Sequence, residues 1–302
     1  MNQIKIGKLN LKNPVLVASG TFGYAQEFAP YINLKKLGGI ITKTITPKAR
    51  AGNPSPRVYE TASGMLNAIG LQNEGIDKFL KEKMPFLRRL DVPIIVSIGG
   101  ETVDDYIKLV RSLSKTKGVS AIELNISCPN IKGKEYLISQ DKEATYELVK
   151  RTRQETGLTL ITKLSPNVTD IVSIAKAAED AKSDAVSLVN TFLAMGIDIK
   201  RRVPVLGNTT GGLSGPAIKP IALRMVWQVA NSVRIPVIGM GGIMNADDAI
   251  EFIIAGASAV CVGTANFVSP QISLEIIQGI EDYLKRNKIK DFKNLIGCLK
   301  KL

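Results

Sequence analysis

The stretch IPVIGMGGIMNADDAIEFIIAGASAVCVGT, residues 235–264, contains one full repeat of the fold. It opens on an apolar run (235–240), turns through Gly241-Gly242, and carries a helical pattern over 246–255. After Gly256 it ends in a second apolar run (259–263) and Thr264. Near-continuous Val/Ile content without alternation suits strands buried on both faces. Two such strands joined by a helix form a parallel crossover unit. The theme recurs upstream at 14–18, 39–43, 93–98, 121–125, 158–164 and 185–190, which makes eight runs in all. Helical patterns fall at 76–90, 103–117, 144–156, 168–181, 217–233 and 274–287. Thr102, followed by Asp104 and Asp105, is an N-terminal capping signal, Pro216 suits a helix start, and Gly118 and Gly256 suit the residues just past helix ends.

Eight parallel strands alternating with helices predict an α/β fold of the (β/α)8 TIM-barrel type, whose usual size is about 250 residues. The surplus is placed in a small N-terminal β-hairpin, with Ile4, Ile6, Leu9 and Leu11 around Gly7-Lys8, and in long βα loops at 44–74, 126–143 and 191–215. No linker-like composition divides residues 1–302, so a single domain is expected. A doubly wound open sheet would gather its ligand at one switch point. Here polar or Gly-rich residues end all eight runs, which fits a ring-shaped rim better.

Composition narrows the chemistry. The chain has 302 residues, 45% hydrophobic and 22% charged, which excludes disorder. Histidine is absent, so there is no Ser-His-Asp triad, no Cys-His pair and no imidazole metal ligand. Proton transfer must use Cys, Lys, Tyr, Asp, Glu or water. The net charge of +13 is dispersed and not interleaved with aromatics, so no nucleic-acid partner is expected. Three widely spaced cysteines, Cys128, Cys261 and Cys298, form no disulfide framework and are too few for an iron–sulfur cluster. A reducing cytoplasm is the expected compartment. Residues 1–13 lack an apolar signal-peptide core. Residues 252–274 are uncharged, yet with Gly256, Gly263, Asn266, Pro270 and Gln271 they read as helix end, strand and loop, so no membrane span is expected.

In a β/α barrel the functional residues sit just past strand C-termini. Gly241-Gly242 and Gly263-Thr264 follow the seventh and eighth runs, where this fold commonly binds phosphate on backbone N–H groups. Lys43 and Lys163 end apolar runs, and a lysine there must be paired or face a cavity. Two ammoniums at one rim point to an anionic ligand, or to one that becomes anionic during reaction. Of the cysteines, Cys128 lies in a polar loop, whereas Cys261 lies inside an apolar run and reads as packing. Asn67, Asn125 and Asn190 offer amides that can read a ring of alternating C=O and N–H groups.

Five segments together resemble the class 1 dihydroorotate dehydrogenases. They are residues 53–73 (NPSPRVYET, then SGMLNAIGLQN from Ser63), Ala18-Ser19-Gly20-Thr21, Asn125-Ile126-Ser127-Cys128-Pro129-Asn130, Gly211 to Gly215, and Gly239 to Ile243. The resemblance runs in family order over nearly the whole chain. It implies an FMN-containing barrel that oxidises dihydroorotate to orotate in pyrimidine (UMP) biosynthesis. The wording of 63–73 resembles the 1B subclass. That implies a partner subunit carrying FAD and a [2Fe–2S] cluster, NAD+ as final acceptor, and a heterotetramer of two catalytic and two electron-transfer chains around a homodimer core. By the same resemblance FMN contacts fall on Ser19, Lys43, Thr44, Ser97, Asn125, Lys163, Val189, Gly215, Gly241, Gly242, Gly263 and Thr264. Substrate contacts fall on Lys43, Asn67, Ala68, Ile69, Gly70, Leu71, Asn125, Asn190 and Thr191. Cys128 becomes the base that removes the C5 proton, with FMN N5 accepting the C6 hydride, and no metal is implied. Ser97 stands where the family usually has Asn, so a weaker or water-mediated flavin contact is expected there. Glu74 stands where Pro is common, with little consequence expected. The alternatives are a 1A-type homodimer using fumarate, a phosphosugar isomerase on the same barrel, which strand-end acids are too scarce to favour, and a basic nucleic-acid-binding module.

Overall fold

A computed structural model describes residues 3–127 and 138–300. Eight parallel strands close into a barrel: Val15–Val17, Gly39–Ile41, Ile94–Ile98, Ala121–Asn125, Thr159–Lys163, Ala185–Leu188, Val237–Met240 and Ala259–Val262. Each pairs with the next in sequence, and the last closes on the first through Val260↔Val15 and Cys261↔Leu16. Every residue of these strands is buried. That two-sided burial explains why their sequences are apolar without alternation. All eight predicted runs contain one of these strands.

The helices pack outside the barrel and end as their sequences dictate. Thr102 caps Val103–Ser114 in a capping box with Asp105. Asp141, Asp170 and Asn245 cap Lys142–Gln154, Ile171–Asp180 and Ala246–Ile254 by the same side-chain-to-backbone logic. The pattern at 76–90 is less regular than expected: Gly75–Lys78 passes into a π-helical turn, Phe79–Lys83, and then into Met84–Leu87.

The N-terminal hairpin pairs Ile4–Ile6 with Leu9–Leu11. It covers the N-terminal end of the barrel. Lys8 N donates to Thr159 Oγ1 at 2.8 Å and Lys8 Nζ to Gly157 O at 2.6 Å. At the opposite end, two segments expected to be loops contain a four-stranded antiparallel sheet, ordered Phe192–Met195, Thr210–Ser214, Gly64–Asn67 and Val58–Thr61. It joins the excursion after the second barrel strand to the one after the sixth. Leu66, Ala68 and Leu206 form its own small core. The barrel mouth thus has a wall that the loop reading did not anticipate.

Candidate active site

A cavity of about 760 Å³ opens at the C-terminal ends of the barrel strands, beside the antiparallel sheet. This is a size usual for small-molecule and cofactor sites. Of the residues singled out from the sequence, Lys163, Val189, Gly215, Gly241, Gly242, Gly263 and Thr264 line it, with Asn67, Ile69, Asn190 and Thr191. Lys163 is 5% exposed and donates from Nζ to Ser19 Oγ at 3.3 Å, so Ser19 enters the site through the lysine.

Thr44, Ser97 and Asn125 sit below the rim as one polar chain. Asn190 Nδ2 donates to Asn125 Oδ1 at 3.4 Å, Asn125 Nδ2 donates to Thr44 Oγ1 at 3.2 Å, and Thr44 Oγ1 lies 2.9 Å from Ser97 Oγ. Four strand ends are thereby locked together in a low-dielectric interior, where a satisfied network is rigid. Ser97 is fully buried and spends its hydroxyl on Thr44. Tyr106 braces the same corner, donating from its hydroxyl to Asn125 O at 2.7 Å.

The segment from Asn67 to Asn73 is built around turns. Asn67 Nδ2 donates to Gly212 O at 3.2 Å across the small sheet. Gly70 and Leu71 hold positive φ, at +71° and +56°. Buried Asn73 pins the end of the segment, accepting from Thr46 N and Gly75 N and donating to Leu71 O. Ala68, Gly70 and Leu71 stand behind the cavity wall; Ile69 reaches it. Lys43 is half-buried and held by its backbone, Lys43 N donating to Gly23 O at 2.8 Å. Glu74, exposed, accepts a hydrogen bond from Lys78 at 2.6 Å, which with the charges of Lys78, Lys83 and Lys43 holds its carboxyl below the usual range.

The opposite corner is shaped by glycines. Gly241 and Gly242 have φ of +127° and +76°, and a Cβ on Gly242 would stand 2.8 Å from Lys219 N and 2.9 Å from Gly215 O. Gly20 and Gly263 present open backbone to the cavity, where a Cβ would meet nothing closer than 3.8 Å. Thr264 Oγ1 donates to Ser214 Oγ at 2.8 Å, and the short helix Ala265–Val268 follows. Behind the glycine loop, Lys219 Nζ pairs with Asp248 Oδ1 at 2.6 Å while Asp248 Oδ2 accepts from Met244 N at 2.8 Å. The hydrogen bond to Asp248 raises the Lys219 ammonium above its usual range against the cost of burial.

Several contributors escaped the sequence reading. Asn167 donates to Thr191 O and accepts from Leu193 N, tying the sixth-strand excursion to the fifth strand end. The Asp248–Lys219 pair and Tyr106 act through hydrogen bonds that no spacing announces. Cys261 lines the cavity floor as a packed thiol. Burial, then the charge of Glu123, push its pKa up, with Lys163 opposing. Cys128 and residues 129–137 of the 126–143 loop lie outside the described residues. Among the described residues no group of three or more Cys, Asp or Glu could hold a metal ion, and no helix is long and apolar enough to cross a membrane.

A family model described as dihydroorotate dehydrogenase matches residues 1–284. Proteins named "Dihydroorotate dehydrogenase B (NAD(+)), catalytic subunit" are close in sequence. The one from Geotalea uraniireducens is 54% identical over 296 residues, covering 98% of this chain and 97% of its own. Those from Geobacter metallireducens (55% over 296 residues, 98% and 97%) and a Thermoanaerobacter species (51% over 298 residues, 99% and 98%) agree. With a family model matching residues 1–284 and relatives at 51–55% identity over nearly the full length, the chain belongs to the dihydroorotate dehydrogenase family.

Proposed function

We propose that this chain is the FMN-bearing catalytic subunit of an NAD+-linked dihydroorotate dehydrogenase, oxidising dihydroorotate to orotate in pyrimidine biosynthesis. The observation that carries the reading is the cavity itself, in which the buried Lys163, the amides of Asn67 and Asn190 and a glycine-built corner face one space. The residues fit FMN. Gly20 and Gly263 leave open backbone that a planar ring can approach closely. Gly241, Gly242 and Thr264 stand where this fold holds phosphate. Lys163 supplies a fixed positive charge for a ring that gains negative charge.

When bound, FMN supplies a two-electron acceptor for the hydride leaving C6 of the substrate. The chain's own residues do the rest. Cys128, the base that the resemblance assigns, takes the C5 proton, with no histidine in the chain to compete. Asn67, Asn125 and Asn190 orient the pyrimidine ring, and Lys43 and Thr191 complete its polar surround. Ser19 steadies the Lys163 ammonium. Ser97 supports the flavin site through Thr44, because its hydroxyl is already engaged there.

The proposed assembly is a homodimer core with two electron-transfer subunits bearing FAD and a [2Fe–2S] cluster, in the cytoplasm, with NAD+ as final acceptor. The names of the relatives support the NAD+ link and the subunit status. Leu193, Met195, Ile197 and Ile199, exposed together after the sixth barrel strand, support a protein contact there. The test is orotate formation with NAD+ or fumarate, with and without the co-expressed partner. NAD+ turnover that requires the partner is expected. Fumarate turnover by this chain alone would replace the reading with the 1A type.

A further inference from the structure

Glu123 is a buried acid that the proposed reaction leaves unused. It lies in the fourth barrel strand and is 0% exposed. Its Oε2 accepts one hydrogen bond, from Ser187 Oγ at 3.1 Å. Its Oε1 has no hydrogen-bond partner among the described residues. The side chain points into the barrel: it reaches Ser187 on the sixth strand, past the fifth, and its charge is felt by Cys261 on the eighth. A carboxylate so placed is costly unless an opposite charge offsets it.

The cation that strand register brings to the same side of the barrel wall is Lys163. It lies on the fifth strand, between Glu123's own strand and Ser187's. Register pairs Lys163 with Asn125 on one side and Ser187 on the other, while Glu123 pairs with Ile161. Lys163 therefore stands one side-chain layer above Glu123, toward the mouth. Cys261 lies within the field of both, pushed one way by the carboxylate and the other by the ammonium. Charges separated by one layer of packed side chains interact strongly where water is excluded.

We propose that Glu123 is the counter-charge of Lys163, a positioning residue that makes a charged lysine tolerable at the buried rim and sets how strongly that lysine draws negative charge onto the bound flavin. The second half of this rests on the flavin reading above; the first half does not.

The test uses the full chain, both as purified and after its flavin is removed. Thermal unfolding of Lys163→Met is compared with that of the double variant Glu123→Gln/Lys163→Met, without flavin. Lys163→Met strands the carboxylate and melts below the wild type; the second substitution restores at least half of the loss. If Lys163→Met does not fold and the double variant does, that is the same rescue. No rescue, further loss, or two unfolded proteins overturns the charge couple. The flavin midpoint potential gives a readout that a merely structural role would not move. Glu123→Gln removes negative charge and shifts the potential positive, whereas Ser187→Ala removes the hydrogen bond but no charge and leaves it in place. An unchanged potential in folded, flavin-loaded Glu123→Gln overturns the tuning role. A wild-type chain that holds no flavin contradicts the function proposed above and leaves the melting comparison intact.

Discussion

At the scale of single residues, reactivity follows from where each group sits. Cys261 is fully buried against apolar strands and its thiol is pushed up in pKa, while Cys298 is exposed. A thiol reagent applied to the native chain near pH 8 should therefore modify Cys298 and spare Cys261. Peptide mapping that finds Cys261 labelled first would contradict the packing assigned to it. Cys128→Ala should leave a yellow, folded protein whose turnover falls by roughly 10²-fold or more; near-normal turnover removes that thiol from the chemistry. Tyr24 has its phenol pushed up to about 12 by burial, aided by Glu74 and Glu27. Its unfolded value is about 10. The stability tied to that proton is complete below pH ~10 and is lost as pH rises through about 12. Tyr24→Phe should accordingly resist alkaline unfolding in this window, and identical unfolding curves would refute the assignment. The sequence marked Lys43, Lys163, Asn125 and Asn190 because polar residues at the ends of apolar runs stand out; Asn67 lies in the 44–74 segment, away from any such run. Glu123 stands out equally but is uninterpretable alone, since its meaning comes from Ser187 and Lys163 on other strands.

At the scale of elements, the glycine loop after the seventh strand is the most constrained piece. Gly242 has positive φ and backbone neighbours on the side where a Cβ would project. Gly242→Ala should cost about 1–3 kcal/mol in strain and weaken FMN binding at least tenfold. Gly157→Ala is the control, because its added Cβ would meet only Lys8 Nζ at 3.9 Å. Equal flavin affinity in both variants would show that the loop does not shape the site. The barrel strands were legible because each is apolar throughout and bounded by breakers. The antiparallel sheet was not. Val58–Thr61 is exposed along almost its whole length, and Gly64–Asn67 buries only Leu66. Its central pairing, Leu66↔Leu213, spans about half of the chain. A strand with no buried face leaves no periodic signal, and turn-rich composition hides it further. The π-helical turn at Phe79–Lys83 was likewise invisible, because its helical pattern is unchanged in kind.

At the scale of the whole molecule, architecture and chemistry meet at one end of the barrel. The hairpin covers the other end, so the strand termini that carry Lys163, Asn125 and the glycine corner share a single opening. Sequence order predicts this gathering as soon as closure of the eight strands is inferred, because each βα loop must then emerge on the same side. What closure does not reveal is the wall added by the joined excursions, or how the amide chain from Asn190 to Ser97 stiffens the rim. The central claim is that this opening brings dihydroorotate against a flavin. It is tested most directly by mixing the purified, FMN-loaded full chain with dihydroorotate in the absence of oxygen and any partner, and following the visible flavin absorption. Bleaching with one orotate formed per flavin is expected, slowed severely in Cys128→Ala. A chain that takes up FMN yet keeps its oxidised spectrum in excess dihydroorotate would contradict it.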